Sequence, residues 1–319
     1  MSFISVLFAL LLEQAKPLTR GNPIHAAMRA WVRWSTHSFD AGKPFHGWLA
    51  WGFAVVGPAL LALLIYRLLG HFVGWSLDVL WSALVLYISL GFRQFSSHFT
   101  DIRNALANDD DARARALLAN WQQIEVREMP RSAILGKVIE FSVLAAHRHV
   151  FGVLAWFSVL AAFGLGPTGA VLYRLSEFVV RYWQHQSNAH YQPVSAALQG
   201  NAQTAWTLID WFPARATAIG FAVMGNFEEA IDGWRRYAQR TDVSNDGLVL
   251  AATAGAVNIH LPGLGLDGLA PPSTSVDESA SARPWPELPH LAIVVGLVWR
   301  AVVMWIVLLA LLTLARLLG

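Results

Sequence analysis

Four long apolar runs constrain the fold of this chain. They lie at about His46–Tyr66, Phe72–Phe92, Val150–Tyr173 and Leu291–Leu314. A helix needs about 20 mostly apolar residues to cross the hydrocarbon core of a bilayer. Among these runs, the only Asp, Glu, Lys or Arg residues away from the run ends are Asp78 and Arg300. The pattern predicts an all-α, polytopic integral membrane protein, a helical bundle with amphipathic cytoplasmic helices.

The overall composition supports a membrane protein and narrows the partners. Hydrophobic residues make up 55% of the chain and charged residues only 14%, against about 25% charged in a typical soluble domain. The formal net charge of +2 gives no argument for nucleic-acid binding. Cysteine is absent, which excludes thiolate nucleophiles and cysteine metal sites. We therefore expect membrane lipid, and no nucleic acid, among the partners.

The segments between the runs predict a topology. Residues 13–45 and 93–149 are both rich in Arg and Lys, so the positive-inside rule places both in the cytoplasm. The first two runs then form a hairpin in a single membrane domain over 1–319, and 93–149 is a cytoplasmic helical segment. A weaker apolar stretch at 204–224 is a broken fifth span, a re-entrant segment or a buried helix, which leaves the side of 226–290 open. Residues 262–289 are rich in Pro, Gly and Ser and predict a flexible linker.

Two places in the apolar segments carry charges that suggest a function. Arg300 lies within the last run, where a guanidinium is costly and should face the bundle interior with an acidic partner such as Asp78, Asp210 or Glu140. The alternatives are an anion-recognition role, a structural ion pair, or a side chain that reaches back to the interface. On the anion-recognition alternative, Arg300 and Glu140 are candidate ligand-binding residues.

The second place is the sequence Asp210-Trp-Phe-Pro-Ala-Arg215. Proline interrupts helical hydrogen bonding, so Pro213 predicts a break flanked by Asp210 and Arg215. A broken helix near a membrane lines a cavity in many proteins. The alternative is a joint between two helices in which Pro213 takes the first helical position.

This stretch, continued to Ala218, resembles the N-W-x-P-A-R-L-T-A motif of the CobD/CbiB cobalamin-biosynthesis membrane proteins. Ser244-Asn-Asp-Gly247 with Ala254-Gly-Ala-Val257 is similar to the S-P-N-x-G … A-G-A-L-G stretch of that family. The resemblance implies adenosylcobinamide-phosphate synthase activity. That reaction joins aminopropanol phosphate to a propionate of adenosylcobyric acid, with ATP and Mg²⁺ required. Arg215, Asn245 and Gly247 are the site positions that it implies, with Asp210 as a further ligand-binding candidate.

The chain also departs from the family pattern. In the family's V-E-x-x-A-E-N-x-x-D-G-V segment only Glu140 is kept, while the second Glu, the Asn and the Asp are replaced within 141–153. The family's N-T-L-D-S stretch reads Tyr173-Arg-Leu-Ser-Glu177. With these replacements the chain resembles AmpE, a related membrane protein tied to β-lactamase induction. AmpE-type chains share the Asp-Trp-x-Pro-x-Arg element.

We therefore expect a divergent, AmpE-like regulatory or sensing member of the CobD/CbiB–AmpE superfamily in the bacterial inner membrane. Its anionic small-molecule ligand would bind in a pocket built around Arg215, Arg300 and Glu140. On this interpretation there is no cofactor and no metal, the catalytic residues are unknown, and a homo-oligomer is open. The alternative is the synthase, an ATP-dependent amide ligase, and only this alternative requires ATP and Mg²⁺.

Overall fold

The computed structural model describes residues 2–15, 23–72, 74–122, 129–188, 194–261, 264 and 283–318. Thirteen helices and one π-helical turn (His147–Phe151, between α7 and α8) occupy most of these residues, which contain no strand. The helices are α1 Ser2–Ala15, α2 Pro23–Phe39, α3 Pro44–Phe72, α4 Trp75–Ser89, α5 Phe92–Ala107, α6 Asp111–Gln122, α7 Arg131–Ala146, α8 Gly152–Ala162, α9 Thr168–Asn188, α10 Ala196–Met224, α11 Phe227–Ala238, α12 Asn245–Val257 and α13 Leu288–Leu318. The predicted all-α class is confirmed.

Three helical segments among the described residues are long and apolar enough to cross a membrane. They are Pro44–Phe72, Arg131–Ala162 and Leu288–Ala315. The first and last contain the predicted runs at 46–66 and 291–314. The run at 72–92 forms α4, which has only 15 residues and is therefore about 22 Å long against a core of about 30 Å. α1 is apolar and equally short.

The third predicted span, Val150–Tyr173, is wrong as a single helix. The chain turns after α8, where Gly164 and Gly166 have φ angles of 76° and 59°, values that favour glycine. A Cβ atom on Gly166 would lie 2.6 Å from Tyr66, so the turn also needs glycine for close approach. The first part of the run instead continues α7 through the π-helical turn, while the second part starts the amphipathic helix α9.

The predicted break at Pro213 is also wrong. α10 runs through Pro213 without interruption, although proline has no N–H to donate to the carbonyl of Ile209. The indole N–H of Trp156, on α8, donates to that carbonyl at 2.8 Å. A side chain from a neighbouring helix thus replaces the missing backbone hydrogen bond, and α10 stays one helix of 29 residues. It is not among the candidate spans.

The chain divides into two compact units, and four helical segments run from one unit into the other. The first unit comprises Met1–Gln94, Arg148–Pro213 and Ile306–Gly319, and the second comprises Phe95–His147 and Ala214–Trp305. The chain passes between units within α5, within the π-helical turn, at Pro213 of α10 and within α13. The single domain over 1–319 and the cytoplasmic placement of 93–149 stay predictions.

In the first unit, α3 and α9 pack together and α2, α4 and α8 pack against this pair. Its largest fully buried side chains include Trp183 and Tyr173 of α9. In the second unit, α11 and α12 form a tight pair, and α7 packs against α12 and α6. Most of the linker predicted at 262–289 lies outside the described residues, but Arg283 forms an ion pair with Glu229 at 2.9 Å.

Candidate functional site

The two sequence stretches that carry the family resemblance meet in the second unit. Arg215 of α10 donates through Nη1 to Oδ1 of Asn245 at 3.4 Å, across 30 residues of sequence. Asn245 is the first residue of α12, and Ser244 caps this helix by accepting the N–H of Gly247 at 3.0 Å. The guanidinium of Arg215 therefore lies at a helix N-terminus, where the helix dipole adds positive potential. The combination suits a phosphate or carboxylate.

Gly247 has a packing role at this helix start. A Cβ atom there would lie 1.9 Å from the hydroxyl oxygen of Tyr237, so no other residue fits without moving the ring. The Tyr237 hydroxyl in turn lies 3.1 Å from the hydroxyl of Ser244. In the preceding loop the Arg240 guanidinium holds the pKa of Asp242 below its ordinary value through a hydrogen bond. Gly247 thus lets the start of α12 pack closely against Tyr237.

Glu140 is buried on α7 and is already paired. Lys137 reaches its Oε2 atom at 2.6 Å. At the end of the same helical segment, the buried His147 lies 2.9 Å from the hydroxyl of Thr217, two residues after Arg215 on α10. The sequence gives no signal for the contact between His147 and Thr217. The i,i+3 spacing of Lys137 and Glu140 permits their ion pair but does not single it out.

Asp210 belongs to a different cluster, in the first unit. It is completely buried and its Oδ1 atom accepts the hydroxyl of Tyr173 at 2.8 Å. Both residues stand at positions where the sequence departs from the family motifs, each in place of an Asn. One turn along α9, the buried Glu177 binds Arg174 and Arg181, each at 2.6 Å. Sequence reasoning missed Tyr173 as a partner, because no spacing rule links residues 37 positions apart.

The predicted position of Arg300 is wrong. The side chain is exposed on α13 instead of facing the interior, and its Nε atom donates to the carbonyl of Gly296 on the same helix at 3.3 Å. Among the described residues Arg300 forms no ion pair, and the alternative of a side chain that reaches back to the interface stays a prediction. Glu140, Arg215 and Arg300 thus use three separate partners: Lys137, Asn245 and Gly296.

The described residues contain no preassembled cluster of metal-ligating side chains. Within the ranges given above, no group of three or more His, Asp or Glu side chains comes together. Mg²⁺ prefers several oxygen ligands, commonly carboxylates with water, but the buried carboxylates of Glu140 and Glu177 are bound by cations and that of Asp210 accepts the Tyr173 hydroxyl. We therefore assign no metal ligand among them.

Comparison with known proteins places the chain in a family. The family model described as CobD/Cbib protein matches residues 6–267. The chain belongs to the CobD/CbiB family. It is 30% identical over 315 residues to the cobalamin biosynthesis protein CobD of Stutzerimonas stutzeri, which covers 96% of each chain. It is 28% identical over 219 residues to the CobD protein of Chromobacterium violaceum, covering 67% of this chain and 66% of that protein. No solved structure matches significantly.

The CobD/CbiB prediction is thus confirmed over nearly the whole chain. The names of both relatives fit cobalamin biosynthesis better than a role like that of AmpE. CobD/CbiB proteins are membrane proteins, and the three apolar helical segments of this chain agree with that. The AmpE-like divergence, the anionic ligand and the homo-oligomer stay predictions.

Proposed function

We propose that this protein is an adenosylcobinamide-phosphate synthase of the bacterial inner membrane. The observation that carries the proposal is the contact between Arg215 and Asn245, which joins the two motif stretches in a CobD/CbiB chain. The reaction forms an amide bond between a propionate of adenosylcobyric acid and the amine of aminopropanol phosphate, with ATP supplying the free energy. The names of the relatives from two bacteria support this assignment.

Arg215 is the residue to which we assign recognition of the phosphate of aminopropanol phosphate. Its guanidinium is planar and always charged, and it can form two parallel hydrogen bonds to phosphate oxygens. The Asn245 side chain orients the guanidinium, and the N-terminus of α12 adds the positive end of its dipole. We assign no step to Mg²⁺, because we identify no ligand for it among the described residues.

Complementation tests this proposal. In a bacterial strain that lacks its own synthase, growth on adenosylcobyric acid requires the missing activity, whereas growth on the synthase product does not. We expect the wild-type chain to restore growth on adenosylcobyric acid. Failure to do so, with the protein present in the membrane at normal level and growth on the product intact, would sink the synthase assignment.

Substitutions at residue 215 test the role of the guanidinium. We expect Arg215→Ala to lose complementation and Arg215→Lys to retain part of it, because lysine keeps the charge but not the two-pronged geometry. The loss should correspond to about 1.5–3 kcal/mol for a hydrogen bond to a charged group, measured as a rise in KM for aminopropanol phosphate. Arg235→Ala, on the neighbouring helix α11, is the matched control. Unchanged kinetics in Arg215→Ala would remove Arg215 from the site.

A second candidate function is an AmpE-like regulatory role without catalysis. The observation that favours it is the contact between Tyr173 and Asp210, two residues that replace family asparagines and satisfy each other in a buried position. The pairing of Glu140 with Lys137 points the same way, because it occupies the one carboxylate kept from the family's acidic segment. On this reading, deletion of the gene changes β-lactamase induction and leaves cobalamin synthesis intact.

A further inference from the structure

An apolar groove runs between four helices of the first unit. It has a volume of about 340 Å³ and is walled by α2, α3, α4 and α9, at the lower end of the roughly 300–1,000 Å³ seen for small-molecule sites. The apolar wall includes Leu61 and Ile65 of α3 with Trp81 and Val85 of α4. Leu61 is 58% exposed, so the groove is open along one side. A site of this shape suits an elongated apolar chain.

The groove also carries a concentration of positive charge. Arg174 and His25 are the two ionisable residues of its wall. Glu177 is the acidic partner of Arg174, but it also binds Arg181, so one carboxylate faces two guanidiniums and one positive charge remains. Arg29 adds to the field, since burial first, and then Arg174 and Arg29, hold the pKa of His25 below its ordinary value. An anionic group is therefore attracted to this part of the groove.

We propose that the groove binds one acyl chain of an anionic membrane phospholipid, whose headgroup phosphate binds at Arg174. The apolar wall lies on α3, one of the candidate spans, which gives a membrane lipid direct access. The excess positive charge selects an anionic over a zwitterionic headgroup, while the apolar walls accept the chain. This binding site is separate from Arg215 and Asn245, and it does not depend on the function proposed above.

Native mass spectrometry of the purified full-length protein tests the proposal. The delipidated protein in detergent is mixed with equal amounts of phosphatidylglycerol and phosphatidylcholine that carry the same acyl chains. We expect one phosphatidylglycerol to be retained per chain, with a preference of about tenfold over phosphatidylcholine. Both lipids offer a phosphate to Arg174, but only phosphatidylcholine carries a choline cation, which the excess positive charge repels. Retention of both lipids in equal amounts would overturn the proposal.

Two pairs of variants test the two parts of the site. Arg174→Gln should reduce the preference for phosphatidylglycerol about tenfold, while Arg67→Gln should not, because Arg67 is an exposed arginine of α3 that does not line the groove. Ala27→Trp should block lipid retention, since exposed Ala27 lines the groove, while Ala26→Trp, equally exposed and outside the groove wall, should retain it.

Two further measurements complete the test. The first distinguishes binding of the whole lipid from binding of its phosphate alone, and the second distinguishes a blocked groove from loss of folding. Glycerol phosphate without acyl chains should not displace the bound lipid, and displacement would show that only the anion is recognised. Circular dichroism of Ala27→Trp should match that of Ala26→Trp. Retention of phosphatidylglycerol by a folded Ala27→Trp variant, or an unchanged preference in Arg174→Gln, would refute the site.

Discussion

Trp156 shows at the scale of one residue how a proline is accommodated in a long helix. An unsatisfied carbonyl in an apolar environment costs about 1–3 kcal/mol, and Pro213 would leave the Ile209 carbonyl in that state. The indole N–H of Trp156 removes this cost by donating at 2.8 Å. The ring also packs edge-on against Phe212. One side chain therefore supplies both the hydrogen bond and the packing.

This arrangement predicts a coupling between Trp156 and Pro213. Trp156→Phe should destabilise the wild-type protein by about 1–3 kcal/mol, because the Ile209 carbonyl loses its donor. In the Pro213→Ala background the same change should cost less, since the N–H of the new alanine can donate to Ile209. Denaturant unfolding of the four proteins in detergent gives the cycle. Equal costs in both backgrounds would contradict the role of the indole.

A second residue-scale prediction concerns the buried Asp210. Tyr173→Phe should destabilise the protein by about 1–3 kcal/mol, because it removes the hydroxyl donor from a completely buried carboxylate. Tyr182→Phe is the control, since the hydroxyl of Tyr182 accepts from the nearby Gln186 in a less buried position. The shift in thermal midpoint of each variant is the measurement. A larger shift for Tyr182→Phe would argue against a structural role for the Tyr173–Asp210 pair.

At the scale of elements, glycine sets how closely α11 and α12 approach. A Cβ atom on Gly255 of α12 would lie 2.1 Å from the carbonyl oxygen of Glu229 on α11, and one on Gly233 of α11 would lie 2.7 Å from that of Ala251. Both contacts are with backbone, which cannot move aside as a flexible side chain can. Small residues that allow backbones to approach are common where helices pack in membrane proteins.

Gly255→Ala is therefore expected to destabilise the protein by about 1–3 kcal/mol through overpacking. Gly200→Ala is the matched control, because Gly200 lies within α10 with open space around it, where alanine should stabilise the helix by up to about 1 kcal/mol. Opposite signs in the thermal midpoints of the two variants check the prediction. A neutral Gly255→Ala would mean that the two helices separate at little cost.

The elements also show what the sequence could predict and where it failed. Hydropathy located α3 and α13 well, because each is one continuous apolar helix. It failed at Val150–Tyr173, where the run contains a turn; Gly164, Gly166 and Pro167 were the local signals of it. It failed at Pro213 for a different reason: the donor that preserves the helix comes from Trp156, 53 residues away from Ile209. Local patterns cannot contain such a partner.

The same limit applies to the candidate site. Arg215 and Asn245 could be chosen from the motif resemblance, and the structure brings them together. The orientation of Arg300 could not be chosen, because a single charged residue in an apolar run does not show which face of the helix it lies on. The partners of Asp210 and Glu140 likewise depend on tertiary packing rather than on sequence spacing alone.

At the scale of the whole molecule, the main prediction concerns how many times the chain crosses the membrane. The Arg and Lys residues of 13–45 and 93–149 predict that both segments are cytoplasmic. We therefore expect α4 to return the chain across the membrane despite its 15 residues. The absence of cysteine makes any introduced thiol unique. Ser38→Cys and Ala112→Cys should therefore both react with a membrane-impermeant reagent from the cytoplasmic side.

Labelling of the two thiols from opposite sides would mean that α4 does not cross. Intact cells and inverted vesicles are the two preparations to compare, and both positions are exposed at the protein surface. A thiol at Trp285, which precedes α13, would then report the side of 226–290 that the sequence leaves open.

The hydrogen bond from Trp156 stabilises α10 at the point where proline weakens the helix. Sharp kinks in helices occur mostly at proline, and here the Trp156 indole on α8 binds the carbonyl that Pro213 leaves without a backbone donor. This hydrogen bond lies next to Pro213, where the chain leaves the first unit for the second. Arg215 follows two residues later. A change that removes the indole N–H would leave the Ile209 carbonyl without this donor, at the residue where proline already interrupts the backbone ladder of α10.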